Sequence, residues 1–144
     1  MIELREITRE NYKTCGNLRV KKKQEKFVAP NTWSLLQANY EPECIPLAIY
    51  HRDDMVGFLM YCIDADDGQY WIYRLMIDRR HQRKGYAHEA MKQLLQIIMA
   101  DKTRNKIYID CKHKNIEAQK LYGKLGFVCT DEIDDQAVYM RLDY

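Results

Sequence analysis

The chain has 144 residues, of which 47% are hydrophobic and 31% are charged, the size and composition of one ordinary globular domain. Its formal net charge of +2 is too small to indicate a nucleic-acid partner, and no apolar run is long enough for a membrane span. Five dispersed cysteines without a CxxC pair argue against a disulfide framework or a zinc site. We therefore predict a single domain over residues 1–144, with reduced thiols, in the cytoplasm.

The first half of the chain predicts two helices between a first strand and a set of three strands. Asn31 or Thr32 is expected to cap the second helix. The turns "RDD" and "DADDG" separate the last three strands, which predicts an antiparallel meander. In chain order these elements are a strand at 2–8, a helix at 9–20 whose pattern continues through 21–27, a helix at 33–40, and strands at 45–51, 55–63 and 69–77.

The second half of the chain contains the strongest helical pattern, which begins after Gly85. Asn115 is a good N-cap for a second helix over 115–127, and Gly126 fits just past its end. The order of elements predicts a mixed α/β sheet with helices on both faces. The apolar stripe after Gly85 consists of Ala87, Ala90, Met91, Leu94, Leu95 and Ile98. The remaining strands are predicted at 106–111, 127–130 and 137–142.

A basic turn, "QRKGYAHE", joins the strand at 69–77 to the strong helix. A helix N-terminus presents unpaired N–H groups and a partial positive charge, and Gly85 lets the backbone approach a ligand closely. The amides from about Arg83 to His88 could therefore converge on a phosphate, with Arg83 and Lys84 adding charge at the rim. Neither GxxxxGK[ST] nor GxGxxG is present, which excludes the two common nucleotide loops. A solvated basic loop is the alternative reading of the turn alone.

Two motifs in this order resemble the GNAT superfamily of N-acetyltransferases. The phosphate turn of that family is [Q/R]-x-x-G-x-[G/A], and Gln82, Gly85 and Ala87 match it in register. The later pattern is N-x-x-A-x-x-x-Y-x-x-x-G-F. It is matched by Asn115, Ala118, Tyr122, Gly126 and Phe127.

The resemblance implies the GNAT fold, an α/β (α+β) arrangement of six to seven strands, and acetyl-CoA as the donor, without a metal. It places the diphosphate on the amides from Arg83 to His88 and the pantetheine arm along the backbone of Met76 and Ile77. A backbone N–H near Leu75 or Met76 is expected to polarise the thioester carbonyl. The cofactor-binding residues that the resemblance implies are Leu75, Met76, Ile77, Gln82, Arg83, Lys84, Gly85, Tyr86, Ala87, His88, Asn115 and Tyr122.

Tyr122 is the catalytic residue that the resemblance implies. Seven residues are close to two helical turns, so Asn115 and Tyr122 share one face, and a phenol is a suitable proton donor for the departing thiolate. A core aromatic is the alternative role for Tyr122. The general base stays open, because the strand before the turn has no internal acid and Asp78 comes only at its end. Cys111 is not expected to form an acetyl-enzyme.

The acceptor is expected to be a primary amine, with a polyamine as the leading candidate. Residues 18–43, "YRLMID" and "RKGYAHEAM" are similar to bacterial spermine/spermidine acetyltransferases. A polyamine needs carboxylates for its ammonium groups and aromatic side chains for its aliphatic parts. For each acid, a solvated turn residue is the alternative reading. The candidate acceptor-binding residues are Glu25, Phe27, Glu41 and Tyr73.

The sequence is compatible with other functions. The acceptor could be another amine, such as an aminoglycoside, an amino-acid derivative or a protein N-terminus. A module that binds acyl-CoA without catalysis is a rival from a different class. A homodimer is also compatible with the family, because the last strand, "AVYMRLDY", is expected to be exposed and to pair across a two-fold axis.

Overall fold

The computed structural model describes residues 1–144. The strands are β1 (Ile2–Glu6), β2 (Cys44–His51), β3 (Asp54–Ile63), β4 (Tyr70–Ile77), β5 (Lys106–Lys112), β6 (Val128–Cys129) and β7 (Ala137–Asp143). The helices are α1 (Tyr12–Asn17), α2 (Asn31–Tyr40), α3 (Tyr86–Met99) and α4 (Ile116–Lys124). Two short 3-10 turns lie at Lys22–Gln24 and Arg79–His81.

All seven strands join one mixed sheet in the order β1-β2-β3-β4-β5-β7-β6. Neighbours from β1 to β4 are antiparallel, and β4 and β5 are parallel. The last two pairs, β5 with β7 and β7 with β6, are antiparallel again. The predicted three-strand meander and the mixed sheet of six to seven strands are therefore confirmed.

Helices cover both faces of the sheet, as predicted. On one face α3 packs onto β1 and β4 through its buried stripe, including Met91, Leu94 and Ile98, in one cluster with Ile2 of β1 and Ile72 of β4. On the other face a second buried cluster joins α1 and the segment after it to β2 and β3, with α2 packed against it. Burial of these apolar side chains on both faces is the main stabilising contribution to the fold.

The ends of α4 follow the sequence signals. The side-chain oxygen of Asn115 accepts a hydrogen bond from the backbone N–H of Ala118 at 3.3 Å, so Asn115 is the predicted N-cap. Gly126 lies just past the helix with a φ of +101°, a backbone conformation that favours glycine. Both ends of α4 are thus fixed by local chemistry.

The first helix is much shorter than the sequence pattern predicted. It ends at Asn17, and Leu18 already has extended backbone angles. The backbone N–H of Arg19 donates to the Asp78 carboxylate at 2.8 Å, and the backbone carbonyl of Arg19 accepts from the N–H of Arg79 at 2.7 Å. These bonds to the end of β4 replace the helical ones, so the helix over 9–27 was wrong because a tertiary contact outweighs local propensity.

The predicted cap of α2 was also wrong. Asn31 is the first helical residue rather than the cap, and Pro30 precedes it with extended angles. The side chain of Asn31 is buried and donates to the backbone carbonyl of Cys15 at 3.0 Å. Asn31 therefore ties α2 to α1, a role that requires knowledge of the tertiary arrangement.

The last strand is not the edge strand of the sheet. β7 lies between β5 and β6, and the short β6 pairs with it at Met140 and Arg141. The backbone N–H of Thr130 adds a bond to the carbonyl of Tyr139 at 2.9 Å. The middle of β7 is therefore already paired on both sides, and pairing of this strand across a two-fold axis was the wrong expectation for that stretch.

Candidate active site

The site forms where the two parallel strands of the sheet separate. β4 pairs with β5 only from Tyr70 to Ile72, whose partners end at Ile109. Beyond these residues β4 continues beside β3 and β5 continues beside β7, so the backbones diverge. The gap opens a cleft of about 460 Å³. Unpaired strand edges of this kind can pair with an extended ligand.

A β-bulge in β4 lies at the point of separation. Tyr61 of β3 pairs with Ile72, and Met60 pairs with Arg74, which leaves Tyr73 as the extra residue. A bulge bends its strand and redirects the side chains that follow. The bulge at Tyr73 therefore contributes to the divergence of β4 from β5.

The cleft has two sides, which we name by the segments that form them. The loop side is formed by the connection between α1 and α2, with the strand residues that face it. The turn side is lined by Leu75, Met76, Ile77, His81, Gln82, Arg83, Gly85, Tyr86, Ala87, His88, Asn115, Glu117, Ala118, Leu121 and Tyr122. The loop side is lined by Val20, Gln24, Phe27, Val28, Ala29, Tyr73, Arg74, Asp110, Lys112 and Ala137. Cys111 lines the turn side, packed against the buried cluster that contains Tyr122.

The turn before α3 presents a set of free amide donors. The first helical bond of α3 runs from the N–H of Glu89 to the carbonyl of Gly85 at 3.2 Å, and the amides from Arg83 to His88 have no acceptor within the protein. Gly85 has a φ of +80°, and a Cβ added there would meet no atom within 4 Å. The turn is therefore an open concave donor surface at the positive end of a helix, which is suited to a phosphate group.

Side chains of the turn hold its shape. Gln82 donates to the carbonyl of Ile77 at 2.9 Å, which closes the turn against the end of β4. Arg83 has a φ of +66° and forms an ion pair with Glu117 of α4 at 3.2 Å, although both side chains are exposed. Tyr86 stacks on His51 with ring centroids 4.9 Å apart. Lys84 is exposed and does not line the cleft.

Tyr122 lies on α4 with its ring buried against Phe127 and its residue only 7% exposed. Burial, together with the nearby Cys111 and Asp110, raises the pKa of the Tyr122 phenol far above its ordinary value. The phenol therefore stays protonated at neutral pH and can donate a hydrogen bond or a proton within the cleft.

Asn115 lies about two helical turns before Tyr122, and both residues line the cleft, as the spacing predicted. Its side-chain oxygen is occupied by the cap bond to Ala118, and its amide NH₂ makes no bond within the protein. That NH₂ group remains available as a donor on the turn side of the cleft.

The four candidate acceptor residues divide into two pairs. Phe27 and Tyr73 line the loop side, whereas Glu25 and Glu41 are exposed and do not line the cleft. The Tyr73 hydroxyl donates to the carboxylate of Asp64. Burial and this bond raise the pKa of the Tyr73 phenol. Tyr73 is therefore held in place and stays protonated.

Asp78, the acid at the end of β4, is a buried structural residue. Its carboxylate accepts from the N–H of Arg19 at 2.8 Å and from the Arg80 side chain at 2.8 Å. Burial alone would raise the pKa of Asp78, but these hydrogen bonds outweigh it and lower the pKa below its ordinary value. Both oxygens of this carboxylate are thus engaged by other protein groups.

Two charged residues of the loop side were missed by the sequence analysis. Arg74 donates to Gln37 at 3.1 Å and to the carbonyl of Tyr73 at 3.0 Å, and its buried Nε has no partner. Asp110 follows Ile109, the last residue of β5 that pairs with β4, and is accessible to solvent through the cleft. The available signal was an acid at the end of an apolar strand, but its meaning depends on where the pairing with β4 stops.

Two further features concern metals and membranes. The structure has no group of three or more His, Cys, Asp or Glu side chains arranged to hold a metal ion. None of its helices combines the length and the apolar character needed to span a membrane.

The separated strands, the donor-rich turn and the α4 tyrosine define an acyltransferase-type fold, and the comparison with protein families identifies it. Residues 2–127 match the model of the acetyltransferase (GNAT) family, so the chain belongs to that family. It is 29% identical over 139 residues to the spermine/spermidine N(1)-acetyltransferase of Bacillus subtilis. The alignment covers 92% of this chain and 91% of that relative.

Solved structures share the fold at low sequence identity. The spermidine N-acetyltransferase of Vibrio cholerae, in complex with CoA and spermine, superposes with a TM-score of 0.78 at 17% identity, over 99% of this chain and 95% of that chain. The aminoglycoside acetyltransferase AAC(6')-Ib, in complex with coenzyme A, gives a TM-score of 0.80 at 16% identity, with the same coverage. These likenesses establish the fold.

Proposed function

We propose that this protein transfers the acetyl group of acetyl-CoA directly to the nitrogen of a primary amine. The observation that carries the proposal is the placement of unpaired amides, residues 83–88, and of the Tyr122 phenol on one side of the same cleft. Acetyl-CoA supplies an activated thioester. The free amides are suited to its diphosphate, and the open edge of β4 is suited to its amide-bearing arm.

Each residue of the turn side has a role in this proposal. The amides from Arg83 to His88 hold the diphosphate, and the backbone of Met76 and Ile77 pairs with the arm. A backbone N–H near Leu75 or Met76 stabilises the developing oxyanion, a contribution of about 3 kcal/mol per donor. Tyr122 gives its proton to the departing thiolate, for which its protonated state at neutral pH is required.

Direct transfer is favoured over an acetyl-enzyme. Burial, followed by the charge of Asp110, raises the pKa of the Cys111 thiol to about 11. The thiol is therefore protonated and weakly nucleophilic at neutral pH. The amine itself is the nucleophile that attacks the thioester in this proposal.

For the acceptor we propose a polyamine, with spermidine preferred over small monoamines. The support is the Bacillus subtilis relative named as a spermine/spermidine N(1)-acetyltransferase, which matches nearly the whole chain. The loop side offers the rings of Phe27 and Tyr73 to the aliphatic parts of such a chain. Glu25 and Glu41 lie outside the cleft, so any contact they make is with ammonium groups that project into solvent.

The test combines binding and turnover on the purified protein. Calorimetry with coenzyme A and acetyl-CoA measures binding, and a thiol-reactive dye follows CoA release with spermidine, ethylamine, an aminoglycoside and a peptide N-terminus. We expect spermidine to give the highest kcat/KM. Equal rates with ethylamine would remove the polyamine assignment, binding without turnover would indicate a non-catalytic module, and no binding would refute the whole proposal.

We further propose a cytoplasmic enzyme that forms a homodimer. All five cysteines are free thiols, and three of them are buried. A Vibrio cholerae spermidine N-acetyltransferase with this fold forms a dodecamer, in a structure with a TM-score of 0.73. Sedimentation velocity over a range of concentrations separates monomer, dimer and larger assemblies of this chain.

A further inference from the structure

Two carboxylates line the cleft, and only one of them is uncommitted. Glu117, on the turn side, forms an ion pair with Arg83 at 3.2 Å. Asp110, on the loop side, forms no ion pair, and the one hydrogen bond that acts on its carboxyl comes from its own backbone N–H. Asp78 is bound by Arg19 and Arg80 and does not line the cleft. Asp110 is therefore the one cleft carboxylate that is free to act on an incoming molecule.

The position of Asp110 follows from the sheet. Side chains alternate along β5, and Ile109 is buried under α3 and α4. Asp110 therefore faces the opposite side, like Tyr108, which stacks on Trp71 with ring centroids 5.0 Å apart. Since β4 stops pairing with β5 at Ile109, the carboxylate is the first polar side chain of β5 that the opened cleft exposes.

The surroundings of Asp110 favour a proton acceptor. Partial desolvation by the cleft walls raises the pKa of its carboxyl, although the residue keeps access to solvent, and this outweighs its own backbone N–H, Lys112 and Arg74, which lower the pKa; the charge of Asp134 adds a smaller increase. A carboxylate of raised pKa is a stronger base than an ordinary aspartate. The titratable and charged groups around it are Arg74 of β4, Cys111 and Lys112 of β5, Tyr122 of α4, Asp134 before β7, and Tyr139 of β7.

We propose that Asp110 is the general base of the transfer and takes the proton of the acceptor ammonium in the cleft. The inference rests on the proposed acetyl transfer to an amine. Asp110 and Tyr122 border the cleft from β5 and α4, close enough for the charge of Asp110 to act on the Tyr122 phenol. A base and an acid thus flank the space in which an amine would meet a thioester.

The proton transfers balance with Asp110 as the base and Tyr122 as the acid. The ammonium gives one proton to the Asp110 carboxylate and becomes a neutral amine. Its lone pair forms the C–N bond with the thioester carbonyl carbon, the C–S bond breaks, and the thiolate takes the Tyr122 proton. The second nitrogen proton returns to the Tyr122 phenolate through solvent, and Asp110 releases its own proton to solvent. The net products are the amide, CoA thiol and one proton.

A base is needed because the free acceptor is almost entirely charged. A primary amine with the basicity of a lysine side chain is neutral in about one part in a few thousand at pH 7. A positioned general base contributes roughly 10²- to 10⁴-fold to such reactions. An amine that is already neutral at pH 7 does not need this first step.

The experiment compares Asp110→Asn with Asp131→Asn, which removes an exposed acid outside the cleft. Each variant and the wild-type enzyme are assayed with spermidine, ethylamine and the weakly basic 2,2,2-trifluoroethylamine. We expect D110N to lower kcat by about 10²-fold or more with the two basic amines, the range of a general base. The loss should be at least tenfold smaller with trifluoroethylamine, and D131N should match wild type throughout.

The pH profile and binding complete the test. In the wild-type enzyme kcat/KM for ethylamine should be level near neutral pH and fall as pH drops through the raised pKa of Asp110, whereas in D110N it should rise about tenfold per pH unit with the neutral fraction of the amine. Calorimetry should give the same CoA affinity for all three proteins, which shows that the cleft is intact. Equal losses with basic and weakly basic amines, or kcat of D110N within threefold of D131N, would overturn the role of Asp110. Wild-type inactivity with every amine would instead refute the proposed transfer, and the role of Asp110 with it.

Discussion

Replacement of Gly85 by alanine isolates the contribution of the donor turn. Gly85 has a φ of +80° and Gly68, in the turn between β3 and β4, has a φ of +68°. A Cβ at either position would meet no atom within 4 Å, so neither replacement creates a clash. The remaining cost is the left-handed backbone itself, about 1–2 kcal/mol for an L-residue. We expect both variants to lose Tm on the order of 3–8 °C.

The two variants should differ in their affinity for CoA. In G85A, relief of the backbone strain turns the neighbouring amides away from their common focus, whereas Gly68 does not line the cleft. Loss of one hydrogen bond to a charged group costs about 1.5–3 kcal/mol, or roughly 10- to 100-fold in Kd. Titration calorimetry with CoA and a parallel thermal melt measure both quantities. Equal Kd values for G85A and G68A would refute the reasoning, because the turn would then be a loop without a binding role.

Three other replacements test the tyrosine, the buried acid and the closest backbone approach. Tyr122→Phe should lower kcat at least about tenfold, which corresponds to ~1.4 kcal/mol of activation free energy, and should leave the affinity for CoA unchanged. The control Tyr12→Phe should change neither kcat nor the affinity for CoA. Unaltered turnover in Tyr122→Phe would remove the phenol from the mechanism. Asp78→Asn should reduce the free energy of unfolding by about 1–3 kcal/mol at pH 7 in a denaturant titration. Because the folded pKa of Asp78 is lowered, this difference should shrink as pH falls below about 4, and a constant difference would contradict the assignment. Gly57→Ala places a Cβ against the carbonyl of β4 at the cleft and should cost about 1–3 kcal/mol, whereas Gly123→Ala, with open space, should be neutral or stabilising.

Local signals predicted much of the fold, and their success has a physical reason. The α3 stripe and the Asn115 cap depend on residues within a few positions of one another, so periodicity and capping chemistry were sufficient. The first helix failed because Arg19 bonds to Asp78, a residue 59 positions away. That bond cannot be read from a helical pattern.

The acidic residues of the site were also difficult to predict from local sequence signals. Glu25 was a candidate because it is an acid in the segment that is similar to spermine/spermidine acetyltransferases, but the residue is exposed and lies outside the cleft. Asp110 was overlooked because its importance depends on the register in which Ile72 meets Ile109, the last pair before the strands separate. Register between distant strands is set by packing of the whole sheet.

The two sides of the cleft are mechanically linked, which bears on how two substrates can be aligned. Asp78 joins Arg19, just before the loop side, to Arg80, just before the donor turn. A second link is the pair of hydrogen bonds between the side-chain amides of Gln24 and Gln82, at 2.9 and 3.2 Å. Gln82 also donates to the carbonyl of Ile77 at the end of β4. The loop side of the cleft and the donor turn therefore cannot shift independently of each other. Because reaction rates depend steeply on such alignment, we expect Gln82, the glutamine of the turn motif, to fix the position of one substrate relative to the other.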